Sequence, residues 1–401
     1  MKVLYISYDG ILEPLGQSQV LRYLEKLSSL HTIHLISFEK ADDWMQSKNR
    51  NDLQKEIKSV GIHWIPLRYH KHPSGLATAF DILQGIMAGC WVAIRHRIQI
   101  VHARSYVASV VALVLKRLFS LKYIFDMRGF WADERVDGGL WPSDSRIYKV
   151  AKWYEKRFLL SADRVVSLTH AAVREMKTFP YLQGHMPQFA VITTCADLNL
   201  FKLGNIASDK EVNQHPFVLG YVGSVGVWYL FDETLKCFKE LQRLIPDACL
   251  RILNRDEHDY IYERLRVNGI SENSVSIGVT DHAGVANAMQ LMDAAIFIIK
   301  PAYSKLASAP TKFGEFLGCG VPCMCNTNVG DMADILDAEQ VGVALTNFSE
   351  KEIKNGIARL IELTHESDIK QRCNKAAVQH FSLEQGVTEY DRIYNELQHE
   401  S

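Results

Sequence analysis

Short apolar runs alternate with longer amphipathic segments along the whole chain, and this alternation constrains the fold more than any other feature. Val3–Ser7 and Ile33–Phe38 are runs of strand length, and Gln17–Leu30 between them has helical spacing. Repeated alternation of strand and helix predicts an α/β fold with parallel, doubly wound sheets, whose functional loops follow the carboxyl ends of the strands. Because the pattern restarts at Phe217 and 401 residues are many for one core, two such domains are predicted.

A polar stretch separates the two halves. Phe201–Pro216 contains glycine, asparagine, serine and glutamine, and it is the best linker candidate. We therefore predict an N-terminal domain over residues 1–204 and a C-terminal domain over residues 215–382. The chain then closes with an amphipathic helix from about Leu383 to Leu397.

The segment from Ile296 to Cys325 carries the strongest functional pattern. Ile296–Ile299 predicts a buried strand and Val321–Cys325 the next one, with a helix between them that Ser308 would cap and Pro310 would begin. Cations beside a helix N-terminus suit a diphosphate, because amides, helix dipole and lysine charges all attract it. The cations concerned are Lys300, Lys305 and Lys312. Glu315, inside the helix, is placed to accept hydrogen bonds from ribose hydroxyls; alternatively, the lysines are merely solvated.

Two strand ends in the first half are rich in chemically active side chains. His102–Ser105 follows one strand, and the long segment Asp126–Trp141 follows another. Aromatic faces with carboxylates commonly hold sugars, so the second loop predicts substrate contact, although it could instead be a lid packed on its own tryptophans. We assign roles toward the acceptor or the donor sugar to Asp126, Arg128 and Glu134, with His102 as a weaker candidate.

The net charge of −1 hides an asymmetry between the halves. Residues 1–200 carry 26 Lys+Arg and 18 Asp+Glu, a net of +8, whereas residues 201–401 carry 19 and 28, a net of −9. The basic first half predicts an anionic partner or membrane surface, or else simply a chance difference between helix faces; no nucleic-acid partner is expected. Arg68–His72 precedes and Arg95–Arg97 follows an apolar run, Ile82–Ile94, that is too short to span a membrane. Docking on anionic lipid and a solvated basic face are both consistent with this arrangement.

The eight cysteines show no disulfide-framework spacing, and the first strand is too short for a secretory leader. Reduced thiols and a cytoplasmic location are therefore expected. Cys319, Cys323 and Cys325 are interpreted as buried structural thiols rather than a metal site.

The segment Ser308–Pro322 resembles the donor-site segment of glycosyltransferase family 4, with support from Gly220–Ser224, Ala162–Ser167 and Phe381–Leu383. The resemblance implies the GT-B fold: two Rossmann-like domains facing a cleft, with a final helix at about 383–401 that packs back on the first domain. It also implies sugar transfer from a nucleotide-diphosphate donor with retention of anomeric configuration, without a catalytic metal or other cofactor.

Carried over by position, Glu315 matches the second glutamate of the family's pair, whereas Ala307 stands where the first is expected. Ser224 stands where many members have an arginine for the diphosphate, and Lys305 and Lys312 are the best substitutes. Gly16 matches the place where backbone closes on the donor phosphates. The predicted catalytic residues are Asp126, Arg128, Glu134 and Lys305. The predicted donor-binding residues are Gly16, Gln17, Gly223, Ser224, Asn254, Arg255, Lys300, Ser308, Thr311, Lys312 and Glu315.

These observations predict a retaining hexosyl- or N-acetylhexosaminyltransferase. Its acceptor would be a glycan or a lipid-linked glycan, in cell-surface polysaccharide or glycolipid synthesis, and the protein would be cytoplasmic and peripheral to the inner membrane face. A sugar-nucleotide epimerase of the same architecture and a non-catalytic nucleotide-sugar-binding protein are the alternatives.

Overall fold

The computed structural model describes residues 1–204 and 216–400, which form two compact units. Unit 1 comprises Met1–Thr193 and the chain from Leu383 onward, and unit 2 comprises Thr194–Ser382. Each unit is built around one parallel sheet.

Unit 1 has a seven-stranded sheet in the order β3-β2-β1-β4-β5-β6-β7, with every neighbouring pair parallel. Its strands are β1 (Lys2–Ser7), β2 (Thr32–Glu39), β3 (His63–Arg68), β4 (Ile100–Arg104), β5 (Lys122–Asp126), β6 (Arg164–Ser167) and β7 (Phe189–Val191). Its helices before unit 2 are α1 (Pro14–Gly16), α2 (Arg22–Leu27), α3 (Ala41–Met45), α4 (Ser47–Ser59), α5 (Ser74–His96), α6 (Ser105–Phe119), α7 (Trp131–Asp137), α8 (Arg146–Ser161) and α9 (His170–Met176). A π-helix, Gln17–Leu21, joins α1 to α2, and a 3-10 turn covers Pro180–Leu182.

Unit 2 repeats the design with a six-stranded sheet in the order β10-β9-β8-β11-β12-β13. Its strands are β8 (Val218–Val222), β9 (Cys249–Leu253), β10 (Val275–Gly278), β11 (Ala294–Ile296), β12 (Cys323–Asn326) and β13 (Gly342–Leu345). Its helices are α10 (Phe231–Leu244), α11 (His258–Val267), α12 (His282–Met289), α13 (Thr311–Gly318), α14 (Met332–Glu339), α15 (Glu350–His365) and α16 (Ile369–Phe381). The 3-10 turns are Glu272–Ser274 and Tyr303–Ala307.

The central strands explain why both sheets are parallel and covered by helices. Every residue of β4 and β12 is buried, as expected for strands covered on both faces. In both sheets the first strand of the unit lies in the interior and the order reverses beside it, which is the doubly wound arrangement. The predicted α/β fold with two Rossmann-like domains is confirmed.

Several boundaries differ from the sequence prediction. Residues 194–204 belong to unit 2 rather than to the N-terminal domain, because Phe201 is fully buried in the core of unit 2. The predicted linker is thus not a linker at its start, and residues 205–215 of it lie outside the described residues. The strand predicted at 296–299 is β11, Ala294–Ile296, and the strand predicted at 321–325 is Cys323–Asn326. Apolar runs continue beyond strand ends here because the flanking residues are also buried.

The last helix, α17 (Leu383–His399), belongs to unit 1. His31 Nε2 lies 2.7 Å from a carboxylate oxygen of Asp391, and Arg164 pairs with Glu396 and Glu400 at 3.3 and 2.7 Å. On its inner face Tyr390, Ile393, Tyr394 and Leu397 are buried. Burial of this face and the ion pairs along its edge hold the C-terminus on the first sheet.

The glycine at the start of β13 offers a test of the second sheet. A Cβ on Gly342 would lie 1.9 Å from the carbonyl oxygen of Cys323 in the neighbouring strand, whereas a Cβ on Gly278, in the edge strand β10, would meet only the Leu253 side chain at 3.7 Å. We expect Gly342→Ala to destabilise the protein by about 2 kcal/mol or more, because backbone must shift. Gly278→Ala should change stability by less than about 1 kcal/mol. Thermal unfolding of both variants gives the comparison, and equal midpoints would contradict the packing described here.

Candidate functional site

In unit 2, the loop after β8 approaches a lysine so closely that only glycine fits. Gly223 has a φ of +108°, and a Cβ there would lie 2.8 Å from Nζ of Lys312. The loop continues to Tyr229, whose ring centroid lies 4.1 Å from the same Nζ. Gly223 therefore serves both the turn and the approach of the lysine.

Lys312 Nζ is buried although the rest of its side chain is only half-buried. It has no hydrogen-bond partner among the described residues, and the rings of Tyr221, Tyr229 and Phe297 surround it at 5.5, 4.1 and 5.9 Å. Burial lowers the pKa of Lys312 to about 7. The cation–π contacts offset only part of the cost of burying the charged form of Lys312. An anion bound beside Nζ would therefore also favour the protonated form of the lysine.

Lys305 has a similar aromatic neighbour. Its side chain is buried, and Nζ lies 3.6 Å from the centroid of the Trp228 ring. Trp228 and Tyr229 are adjacent in the same loop, so one loop covers both lysines with aromatic faces. The structure thus brings together Gly223, Lys305 and Lys312 of the predicted site.

The carboxylate of Glu257, which follows the end of β9, holds this loop in place. Glu257 accepts hydrogen bonds from the backbone amides of Val225 and Gly226 at 3.0 and 2.9 Å, from Ser224 Oγ at 2.9 Å, and from Asn254 Nδ2 at 2.8 Å. Partial burial acts to raise the pKa of Glu257, but these hydrogen bonds lower it below its usual value. The backbone amides of Val225 and Gly226 therefore already bind an anion, which is the carboxylate of Glu257.

This arrangement engages two of the predicted donor-binding side chains, Ser224 and Asn254. Ser224 donates to Glu257, and buried Asn254 donates to Glu257 and to the carbonyl of Gly223, at 3.1 Å. Both side chains are occupied in shaping the loop, so direct donor contact does not follow from this geometry. Arg255, beside them, is exposed.

Glu315 lies on α13 three residues after Lys312, so the two side chains share a helix face. His282 Nε2 lies 3.7 Å from a Glu315 carboxylate oxygen, and this neighbouring carboxylate raises the pKa of His282. The His282 ring packs edge-on against Phe201, with centroids 5.0 Å apart. Sequence reasoning missed His282, although its place after a strand end, next to the N-capping Asp281, was a signal that could have found it.

The entry to α13 differs from the predicted one. The helix begins at Thr311 with Pro310 in the capping position, whereas Ser308 closes the preceding 3-10 turn and donates its backbone N–H to the Lys305 carbonyl at 3.1 Å. Ser308 therefore follows the 3-10 turn Tyr303–Ala307 and does not cap α13 as predicted. Thr311 is half-buried and Lys300 is exposed, with its backbone N–H bonded to Trp228 O at 2.8 Å.

In unit 1, the loop after β1 is fixed by close backbone packing and by a buried carboxylate. A Cβ on Gly16 would lie 1.9 Å from the carbonyl oxygen of Gly10, so only glycine permits this contact. Glu39, at the end of β2, accepts hydrogen bonds from the amides of Ile11 and Leu12 at 2.9 and 3.1 Å. Gln17 is exposed and donates to the Leu12 carbonyl at 3.2 Å.

Three predicted residues of unit 1 form a buried cluster beneath α17. Tyr394 Oη lies 2.7 Å from His102 Nδ1, and Tyr390 Oη donates to Asp126 at 3.1 Å. Asp126 is 3.8 Å from the Arg128 guanidinium and 3.7 Å from His102 Nε2. Burial would raise the pKa of Asp126, but Arg128 and His102 lower it below its usual value, and burial lowers the pKa of His102.

The burial of Asp126 and His102 bears on their predicted roles. Both side chains are 1% exposed or less, because α17 covers them, so neither reaches an acceptor in this geometry. Asp126 instead positions Arg128. The backbone of Arg128 has a φ of +58° and that of Ser105, directly after β4, a φ of +67°. Strained backbone of this kind is concentrated at functional sites. These two residues therefore favour a functional site at the carboxyl ends of β4 and β5.

The predicted loop at 126–141 contains a short helix, α7. Trp131 packs edge-on against Trp141 with centroids 5.1 Å apart, and Asp133 pairs with Lys152 at 2.8 Å. The tryptophans thus pack on each other, as in the alternative of a structured lid. Glu134 lies half-buried in the first turn of α7.

A cavity of about 480 Å³ lies beside the carboxyl ends of β2 and β3 in unit 1. Its walls are mainly apolar, with one carboxylate and one guanidinium; the residues are Glu39, Ala41, Trp44, Met45, Pro66, Leu67 and Arg68. The volume and the combination of an indole with two charged groups suit part of a sugar or an amphipathic ligand. Within residues 1–204 and 216–400, no group of three or more His, Cys, Asp or Glu side chains could hold a metal ion.

Comparison with known proteins agrees with this geometry. A family model described as a glycosyl transferase 4-like domain matches residues 17–181, in unit 1. No curated protein matches the chain closely enough in sequence to count as a relative.

Three solved structures are similar over the whole chain. Sucrose-phosphate synthase from Thermosynechococcus elongatus has a TM-score of 0.72 at 14% identity and covers 100% of both chains. HepE from Anabaena, in complex with UDP, has a TM-score of 0.68 at 15% identity, covering 99% of this chain and 100% of its own. The lipopolysaccharide outer core galactosyltransferase WaaB has a TM-score of 0.65 at 12% identity, covering 99% and 100%. The family model supports the predicted resemblance to glycosyltransferase family 4 over residues 17–181, and the similarity to these solved structures shows that the chain has the GT-B fold.

The buried ammonium of Lys312 predicts a pH-dependent effect on stability. Because the pKa of Lys312 is lowered to about 7, the unfolded chain binds a proton that the folded chain lacks between about pH 7 and pH 10, and stability rises with pH across that window. We expect Lys312→Met to be more stable than the wild type at about pH 6, by about 1 kcal/mol or more, and to lose this advantage toward about pH 10. Thermal unfolding across this range measures it. Lys300→Met, at an exposed position, is the control, and the same pH profile in both variants would contradict the burial of Lys312.

Burial of Asp126 gives a second prediction. Asp126→Asn removes the charge that faces Arg128 and should destabilise the protein by about 3 kcal/mol, because a buried guanidinium loses its ion pair. Glu134→Gln, at a half-buried position of α7, should cost less than about 1 kcal/mol. Denaturant unfolding compares them, and if Asp126→Asn proved as mild as Glu134→Gln, the positioning role of Asp126 would be wrong.

Proposed function

We propose that this protein transfers a hexosyl or N-acetylhexosaminyl group from a nucleotide-diphosphate-sugar donor, with retention of anomeric configuration, to a glycan or lipid-linked glycan. Its place would be in cell-surface polysaccharide or glycolipid synthesis, in the cytoplasm and peripheral to the membrane. Unit 2 binds the donor in this proposal, and unit 1 supplies the acceptor-binding groups.

The observation that carries the proposal is the buried Nζ of Lys312, which has no acceptor among the described residues and lies under the glycine loop, one helix turn from Glu315. A buried ammonium without a partner is costly, so such a group is usually retained for an anionic ligand. A nucleoside diphosphate supplies both complements: phosphate oxygens for Lys312 and Lys305, and ribose hydroxyls for Glu315.

The same groups account for the chemistry. As the glycosidic bond of the donor breaks, negative charge develops on the β-phosphate oxygen. Fixed ammonium groups of Lys305 and Lys312 stabilise that charge more in the transition state than in the bound donor. We propose that these lysines supply the positive charge without a metal ion. The acceptor hydroxyl would attack from the face that the diphosphate leaves, and the leaving phosphate would take the hydroxyl proton.

The acceptor is assigned to unit 1 on the basis of its cavity and of Arg128. The cavity has an indole wall, Trp44, on which a sugar face can stack, and Arg68 beside it can bind a phosphate or carboxylate. HepE was solved with UDP and WaaB acts on lipopolysaccharide outer core, which supports a uridine donor and a cell-surface acceptor.

A non-catalytic nucleotide-sugar-binding protein is the second candidate. Two observations favour it: Ala307 is buried where the family has a glutamate, and Ser224 is occupied by Glu257 where many members have an arginine. An epimerase of the same architecture is the third. The retained lysines and Glu315 favour an enzyme over the non-catalytic protein.

Donor binding is tested first, by thermal stabilisation with UDP, GDP, CMP and ADP. We expect one nucleotide, most simply UDP, to raise the stability of the wild type by about 3 kcal/mol at a hundredfold excess over its Kd. The shift should be lost in Glu315→Ala, because the ribose loses its acceptor, and reduced at least about tenfold in affinity in Lys312→Met. Glu362→Ala, at an exposed glutamate of α15 that pairs with another surface residue, Arg359, is the matched control.

The outcomes separate the candidates. If no nucleotide shifts the wild type, the donor site and the transferase proposal fail together. If a nucleotide binds, its sugar conjugates are followed by NMR with and without glycan acceptors. Epimerisation without any acceptor identifies the epimerase, and binding without turnover on any acceptor identifies the non-catalytic protein. Transfer with the anomeric configuration of the donor retained supports the proposal.

A further inference from the structure

Helix α5 exposes a continuous row of large apolar side chains. Their spacing of three and four residues places them on one face, and each is between 48% and 74% exposed. The row consists of Leu76, Phe80, Leu83, Met87, Trp91 and Ile94. Scattered exposed apolar residues are normal, but six on one helix face form a patch of the kind that marks an interaction site.

The opposite face of α5 is packed tightly into unit 1. A Cβ on Gly85 would lie 3.0 Å from the Val111 side chain of α6, and one on Gly89 would lie 2.6 Å from Leu115. Ala77, Val92 and Ala93 are buried on this side as well. Small residues thus let α5 lie close against α6.

The length and composition of α5 would allow it to cross a membrane, and it is the one helix of the described chain that passes this weak test. Its packed inner face instead fixes it on the sheet. Helix α5 can therefore lie along a membrane surface but cannot span the membrane without leaving its unit.

Cations flank the apolar row at both ends. Residues 68–97 contain four Lys or Arg and one acidic residue. The acidic residue, Asp81, is buried and bonded to His70 and Tyr8, so α5 presents no carboxylate on its exposed face. The exposed cations are Arg68, Lys71, Arg95 and Arg97. An apolar row between cationic ends is complementary to an anionic lipid surface, where acyl chains accept the row and headgroups the charges.

Helix α8, which also packs against α6, repeats this combination. Ile147, Val150 and Trp153 are exposed on it, and the Arg157 guanidinium lies 5.0 Å from the Trp153 ring. Two helices of the same layer thus carry exposed apolar groups with adjacent cations.

We propose that the exposed face of α5 is the surface by which this protein docks on an anionic lipid bilayer, with its apolar row inserted at the headgroup boundary. The proposal rests on the peripheral membrane contact of the proposed function and identifies its surface. It also connects docking to the acceptor, because Arg68 both lines the cavity of unit 1 and precedes α5. A lipid-linked acceptor would then reach the cavity from the surface on which the enzyme is held.

The test is co-sedimentation of the full chain with vesicles of phosphatidylcholine alone or mixed with phosphatidylglycerol, at low and high salt. We expect the wild type to bind the mixed vesicles and to bind them less at high salt. The triple variant Leu83→Gln, Met87→Gln, Trp91→Gln should bind at least about a hundredfold more weakly. The double variant Arg95→Gln, Arg97→Gln should lose about tenfold and most of the preference for phosphatidylglycerol.

The matched control replaces three exposed apolar residues of unit 2 that lie on separate helices. Leu244→Gln, Val267→Gln, Val378→Gln removes similar apolar surface without touching α5 and should bind vesicles as the wild type does. Folding of every variant is checked by thermal unfolding. Binding of nucleotide by the α5 variants should be unchanged, so failure of docking and failure of the donor site are distinguishable.

The proposal is overturned if the wild type does not bind mixed vesicles, or if the triple variant binds them as well as the wild type. The mass of the protein in solution tests another occupant. A wild-type dimer that the triple variant converts to a monomer, with no vesicle binding by either, would show that a second copy covers α5. That result would replace the membrane with a dimer interface.

Discussion

The candidate donor site depends on one desolvated charge, the ammonium of Lys312. The glycine loop after β8 does not offer its amides to a ligand, because Glu257 already binds those of Val225 and Gly226. Positive charge for a diphosphate must then come from side chains, and Lys305 and Lys312 reach the loop from the segment after β11. The residues of the loop fit this requirement. Gly223 leaves room for the ammonium of Lys312, and the rings of Trp228 and Tyr229 face the ammonium groups of Lys305 and Lys312.

The fold could be read from the sequence because it depends on a periodicity that every strand and helix repeats. The doubly wound sheets and the position of Glu315 on a helix after a buried strand required no long-range information. The details that failed were those set by packing. The N-cap of α13 is Pro310 rather than Ser308, because Ser308 closes the 3-10 turn that precedes the helix. Strand β11 ends at Ile296, although its apolar continuation is also buried.

The site could be predicted only where a residue's role follows from its local position. Asp126 ends a strand, as a substrate-binding residue would, but α17 returns from the far end of the sequence and covers it. Asn254 and Ser224 likewise follow strands, but both side chains donate hydrogen bonds to Glu257. His282 was missed because its contacts with Glu315 and Phe201 join three segments that are distant in sequence. Strand-end position finds the region of a site, whereas tertiary contacts decide which side chains are free.

The membership of α17 in unit 1 affects the order in which the two units can fold during synthesis. Unit 2 lies between the two parts of unit 1 in the sequence, so the ribosome completes unit 2 before it delivers the helix that closes unit 1. Until then His102 and Asp126 lack the two tyrosine hydroxyls of α17, and the apolar groups beneath that helix face water. Domains usually fold in the order of their synthesis. Here the first unit to emerge is the last to be completed, and a nascent chain that ends at Ser382 has a complete second unit but a first unit that still lacks its last helix.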